Sequence, residues 1–185
     1  MDPEDWRSVL LVNDKDEPLG IVPKMQAHTE PRLHRAFSVF LYDKDHNMLL
    51  QRRALNKYHS PGLWTNACCS HPITGLICDE AAQRVEEELG ISCSDLEEIF
   101  EFTYRAEVGN GLVEYEFDHV LAGLAADEVK INRDEVEETC VMSLAELKRS
   151  LDETPEKYTA WFRLAAPRVI EYLAEKWGVD IEDRR

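Results

Sequence analysis

The stretch EFTYRAEVGNGLVEYEFDHVLAG (residues 101–123) decides the architecture. Both halves read as β-strands, and between them Gly109, Asn110 and Gly111 readily supply the positive φ angles of a tight antiparallel turn. A hairpin is the consequence. Strand side chains alternate faces with a period of two, so Glu114 and Glu116 leave on one side and Val113, Tyr115 and Phe117 on the other.

Working outward, residues 79–89 place Ala81, Ala82, Val85 and Leu89 at helical spacing opposite an acidic face, with Gly90 where a C-terminal cap belongs. Further upstream, FSVFLYD (37–43) and MLLQRR (48–53) flank the turn-like KDHN, and SVLLVN (8–13) precedes the polar turn DKDEPLG. Downstream, Ser143 and Glu146 form a capping box for a helix over 144–151. A longer helix is predicted over 157–177, kinked or broken in two by Pro167. Strands and helices together predict an α/β (α+β) fold.

With 185 residues, 44% of them hydrophobic, the chain is long enough for one substantial core, which predicts a single domain over 1–185 with its core at about 24–165. The 37 acidic residues against 21 basic ones give a net charge of -16, which excludes a phosphate-backbone binder and an anionic membrane surface. The first residues, MDPEDWRSVLLVN, are acidic where a signal peptide is basic, and their apolar run is far too short for a membrane span, so a cytoplasmic protein is expected. Cys68, Cys69, Cys78, Cys93 and Cys140 form an odd set without C-x-x-C spacing, so reduced thiols are expected. No repeat or linker divides the chain.

Candidate chemistry gathers in a few places. His28 and His34 flank TEPRL, where Pro31 argues for a loop entering the next strand. Singly, each reads as readily as an ordinary surface or hydrogen-bonded histidine. Cys69 and His71, one residue apart, share a face if their segment is extended, as Glu114 and Glu116 do, while Cys68 points the other way into the core. A solvated acidic strand face would also explain the two glutamates. Three histidines and two carboxylates nevertheless make a complete mixed nitrogen and oxygen shell for a divalent ion.

His28-Thr-Glu-Pro-Arg-Leu-His34, Arg52-Arg53-Ala54, Pro61-Gly-Leu-Trp-Thr-Asn66, Cys69-Ser-His71-Pro72, Glu87-Glu-Leu-Gly90, Tyr104-Arg-Ala106, Glu114-Tyr-Glu116 and Trp161 follow one another in an informative order. In that order and spacing, from about Lys24 to Trp161, the chain resembles the type I isopentenyl-diphosphate isomerases. The resemblance implies a Nudix-like mixed β-sheet sandwiched between α-helices. It also implies one divalent metal (manganese, zinc or magnesium) on His28, His34, His71, Glu114 and Glu116, and a magnesium ion at the substrate diphosphate helped by Glu88. Lys24, Arg53, Lys57 and Arg84 match substrate-contacting positions.

The implied reaction interconverts isopentenyl and dimethylallyl diphosphate, supplying isoprenoid biosynthesis. A proton added at C4 and another removed at C2 require one acid and one base on opposite faces of a flat alkene. The family assigns Glu116 as acid with Tyr104 relaying or orienting its proton, Cys69 as base, and Trp161 as the aromatic face against the carbocation. As a base Cys69 needs a stabilised thiolate, a task expected of nearby cations. The partner implied is a small isoprenoid diphosphate, with no nucleic acid and no membrane, and the protein is expected to be a monomer or weak homodimer. The rival readings are a Nudix-type diphosphate hydrolase and a catalytically silent Nudix-like binding module. Gln83 and Arg84 stand where the hydrolase pattern has Arg-Glu, and Ala160 stands where the isomerase family often has proline before the tryptophan.

Overall fold

A computed structural model describes residues 7–93, 95–125 and 128–181. Nine strands form one mixed sheet among these residues. At its centre β3 (His34–Tyr42) runs parallel to β8 (Leu112–Leu124), from the pair His34 and Glu116 to the pair Tyr42 and Leu124. The expected hairpin joins β8 to the antiparallel β7 (Glu97–Gly109), and its turn residues Gly109, Asn110 and Gly111 have φ of 93°, 54° and 73°. Two positive-φ glycines flanking an asparagine are what such a turn needs.

A wedge beside β3 positions the site. β3 pairs with β4 (Asn47–Arg53) only at Leu41 with Leu49 and Tyr42 with Met48, after which the two strands part. The opening is filled by β5 (Trp64–Thr65), paired to β4, and β6 (Cys68–Ser70), paired to β3. On its outer side β4 pairs with β9 (Val136–Ser143). At the other end β1 (Ser8–Val12) and β2 (Pro18–Pro23) form a hairpin that meets β3 where Leu11 faces His34.

The strands are apolar on both faces because both faces are covered. Val39, Leu41, Leu49 and Leu121 pack with Val85 and Leu89 of α2 (Ile77–Leu89). Their neighbours Phe40, Met48, Leu50 and Val120 pack on the opposite side with α3 (Leu144–Glu153) and α4 (Ala160–Trp177). The mixed sheet is therefore sandwiched as expected. Gly90 caps α2 in the left-handed conformation, and the Ser143–Glu146 capping box is present at α3.

Two expectations need correction. Pro167 does not divide α4, which is continuous from Ala160 to Trp177. Pro167 and Arg163, four residues earlier, both lie on the exposed face, so the carbonyl that loses its partner is at a solvated surface. Nor are His28 and His34 on a loop: His28 is in the short helix α1 (Lys24–Thr29), and His34 opens β3. Pro31 acts only beyond the end of α1, where Glu30 has already left helical geometry at ψ 79°. No described helix is long and apolar enough to cross a membrane.

Candidate active site

The parallel register of β3 and β8 sets His34 directly opposite Glu116, and β6, on the other side of β3, brings in Cys69 and His71. Helix α1 adds His28. The rings of His28, His34 and His71 stand at the corners of a triangle with centroids 5.1, 5.1 and 5.9 Å apart. Ligand atoms of these three histidines and Glu116 all lie within 4.8 Å of one another, close to the span of a single coordination shell. Glu114 falls in a neighbouring group with His28 and His59.

The donor set fits a divalent cation. His28 Nδ1 lies 2.8 Å from the carbonyl of Lys24, and His34 Nδ1 lies 2.8 Å from that of Arg32. A carbonyl only accepts, so each Nδ1 carries the hydrogen and each Nε2 turns a lone pair inward. Both Nε2 atoms are buried without a hydrogen-bond partner. Tyr104 Oη lies 2.9 Å from Glu114 and 2.6 Å from Glu116, although a phenol has one proton to give. Acceptors outnumber donors, and a cation corrects the imbalance.

Charges follow the same crowding. Burial, reinforced by His71, pushes His28 down to about 3, and burial also lowers His71 despite its 3.0 Å contact with Glu116. Burial and the adjacent Glu116 hold Glu114 well above the usual carboxylate range. Glu116 goes the other way: His34 and His71 hold it well below that range in spite of burial. Burial and the two glutamates raise the Tyr104 phenol.

Cys69, Glu116, Tyr104 and Trp161 line one cavity of about 40 Å³, together with Lys24, Arg53 and His59. That is room for an ion or a few water molecules. Ala160 is the first residue of α4, behind the N-cap Thr159, a position where proline and alanine serve equally, so Trp161 keeps its place. The guanidinium of Arg53 stands 5.3 Å from the Trp161 ring. Cys68 is fully buried in the α2-side core, as strand alternation predicts.

The expected cation-stabilised thiolate at Cys69 is not what surrounds it. Burial and then the Asp118 carboxylate push the Cys69 thiol well up, outweighing Ser38 and Asn66. The donors are already committed. Ser38 Oγ gives its proton to Asp118 at 2.7 Å, and Asn66 Nδ2 gives its two to the carbonyls of Val39 and Cys68, at 3.0 and 2.8 Å. The thiol has one proton to give, to the Asn66 carbonyl at 3.3 Å or the Ser38 hydroxyl at 3.5 Å, while Asn66 Nδ2 also stands 3.1 Å from Cys69 Sγ.

Among the expected substrate contacts, Lys24 and Arg53 line this cavity, and Lys57 and Arg84 belong to a second cluster around Glu88. Arg84 reaches Glu88 at 2.5 Å and Glu135 at 3.7 Å, Lys57 pairs with Glu135, and Gln51 donates to Glu88 at 2.9 Å. Glu88 therefore lies apart from the histidine group. Arg53 and Cys69 line both this small pocket and the cavity above.

His59, Asp118 and Glu135 were not anticipated. Asp118 was within reach, since it continues the alternation of Glu114 and Glu116 on the same face. His59 and Glu135 carry no periodic signal, being placed by long-range packing.

The NUDIX domain family model matches residues 32–162, more than half of the chain. A Deinococcus radiodurans protein of known crystal structure superposes with a TM-score of 0.70 over 88% of this chain and 98% of its own, at 16% identity. Fold and matched domain thus define a Nudix protein. Curated relatives narrow the class. The Isopentenyl-diphosphate Delta-isomerase of Pectobacterium atrosepticum is 43% identical over 89% of this chain and 92% of its own length. That of Photobacterium profundum is 45% identical over 89% and 93%. The chain belongs to the isopentenyl-diphosphate Delta-isomerase family.

Proposed function

We propose that the chain interconverts isopentenyl and dimethylallyl diphosphate, with Cys69 and Glu116 as its acid–base pair. The observation that carries this reading is that the two groups line one cavity beneath Trp161, next to a cation-demanding cluster. Proton addition at C4 creates a tertiary carbocation, and the Trp161 face offers about 2 kcal/mol or more toward it when desolvated. Burial of the surrounding aromatic and polar side chains excludes water that would trap the cation.

The pair holds the proton inventory the reaction needs. Cys69 is held as a thiol and Glu116 as a carboxylate, the state that proton donation by Glu116 and proton removal by Cys69 would leave behind. Isomerisation in either direction requires one member protonated and the other not. Tyr104, bonded to Glu116 at 2.6 Å, orients that carboxyl and offers a path for its proton. His28, His34, His71, Glu114 and Glu116 would hold the divalent ion, whose charge fixes the two carboxylates and strengthens the acid when Glu116 is protonated.

Lys24 and Arg53 would meet the substrate beside the cavity, and Lys57 and Arg84 its diphosphate. Glu88 would join a magnesium ion there once Arg84 turns toward phosphate. A hydrolase would use an Arg-Glu pair and a Glu-Glu pair on α2 for its metals, whereas this chain has Gln83 and Arg84 in place of the first pair, which favours isomerisation. Turnover of isopentenyl diphosphate in deuterated water should place deuterium in the dimethylallyl product. Release of phosphate or pyrophosphate without isomer, or binding without turnover, would overturn the reading.

A further inference from the structure

His59 is buried, 4% exposed, in the turn between β4 and β5, and it lies outside the stretches that carry the resemblance above. Its backbone is fixed on both sides. Arg53 donates to the His59 carbonyl at 3.1 Å, and Asn110, in the β7–β8 turn, donates to the carbonyl of Tyr58 at 2.9 Å. Ser60, next in sequence, holds φ of 48°, in the left-handed region that serine adopts at a cost. That turn drives the His59 ring inward, between the edges of Tyr58 and Trp161, with centroids 4.5 and 5.8 Å away.

Inside, the ring stacks on His28 at 6.1 Å, and its Nε2 stands 3.5 Å from Glu114 Oε1. Ligand atoms of His28, His59 and Glu114 lie within 4.8 Å of one another, as do those of His28, His34, His71 and Glu116. His28 belongs to both groups. Its Nδ1 is committed to the Lys24 carbonyl, so its one inward lone pair serves a single ion. An ion drawn by that lone pair toward Glu114 comes within reach of His59. The 3.5 Å contact between His59 and Glu114 is at the limit of hydrogen bonding, and an ion between two such groups replaces a poor hydrogen bond with two coordination bonds.

We propose that His59 is a further nitrogen ligand of the divalent ion on the Glu114 side, so that the shell is His28, His34, His59 and His71 with Glu114 and Glu116. The proposal rests on the metal reading above. It also gives Glu114 a second ligand neighbour beside His28. Six donors of this mixture would suffice for a six-coordinate divalent ion, one that would serve to position the carboxylates.

The test is metal binding by the purified full-length protein, read without turnover. Wild type, His59→Ala, His59→Gln and His28→Ala are stripped, titrated with manganese(II) against a chromophoric chelator, and examined with cobalt(II) by visible absorption. His59→Ala should weaken manganese binding about tenfold or more and alter the cobalt bands. Added imidazole should restore them by entering the space the ring leaves. His59→Gln, which keeps much of the volume and replaces the imidazole nitrogen with a weaker amide oxygen, should weaken binding less than His59→Ala does, and circular dichroism reports whether each variant is folded. If His28→Ala loses the ion while both His59 variants bind as wild type does, His59 is no ligand. If His28→Ala also binds as wild type does, the underlying metal reading fails with it.

Discussion

Two polar clusters flank Cys69, and they are in opposite electrostatic conditions. The histidine cluster holds more acceptors than donors, with two imidazole nitrogens buried and unpartnered and one phenol proton between two carboxylates. The Glu88 cluster is closed: Arg84 and Lys57 are matched by Glu88 and Glu135. The first is incomplete without a cation. The second must be opened before a diphosphate can use its cations. On the proposed function, one site would retain an ion and the other would exchange one set of anionic partners for another.

The largest effect should come from Cys69→Ala, which stands between the clusters. It should cost about a thousandfold or more in isomerisation while metal content stays near wild type, measured by turnover and elemental analysis. Retained turnover would remove Cys69 from the pair. Next in size is the pH response of the metal-free protein. His28, pushed down to about 3, and the lowered His71 are neutral in the fold, while the unfolded chain protonates both below about 6.5. The sign follows: for His28 this contribution is undiminished above about 6.5 and is lost as pH falls toward about 3, at roughly 1 kcal/mol per pH unit, and the lowered His71 adds a loss of the same sign. Denaturant melts across that range check it, and a flat profile would mean that these rings are charged in the fold.

Glu135→Gln probes the closed cluster. It should destabilise the fold by about 3 kcal/mol, because Lys57 loses its buried partner. It should also tighten inorganic pyrophosphate binding several-fold in a calorimetric titration. Weaker binding would place Glu135 among the groups that hold the diphosphate. The smallest effect on turnover belongs to Cys68→Ala, which empties a thiol from the opposite core and should change melting temperature by a few degrees. Equal loss of activity from Cys68 and Cys69 would break the distinction between the two faces of β6.

Legibility followed periodicity. The pairing of Glu114 with Glu116, the opposed directions of Cys68 and Cys69, the glycine turn and the α3 capping box are local patterns, and the structure keeps them. His28 and Pro167 misled for one reason: proline rules describe a backbone without its solvent exposure or element ends, and both prolines sit where the rule has little force. The state of Cys69 was out of reach because it depends on how Ser38, Asn66 and Asp118 spend their protons, which long-range packing alone determines. His59 and Glu135 were silent because each is an ordinary residue until the β4–β5 turn and the approach to β9 bring it inward.

The register between β3 and β8 also limits how this centre can change over evolutionary time. Every residue of the ladder from His34 to Tyr42 has its partner from Glu116 to Leu124, and adjacent positions open onto different cores. Inserting or deleting one residue between the β7–β8 turn and Glu114 would rotate Tyr115 and Phe117 into the site and send both glutamates toward the other face. Gradual drift in length is therefore closed to these strands, while single replacements remain open to them. Changes in length belong to the loops, and the chain can lengthen in the β4–β5 turn or before β9 without moving the ladder.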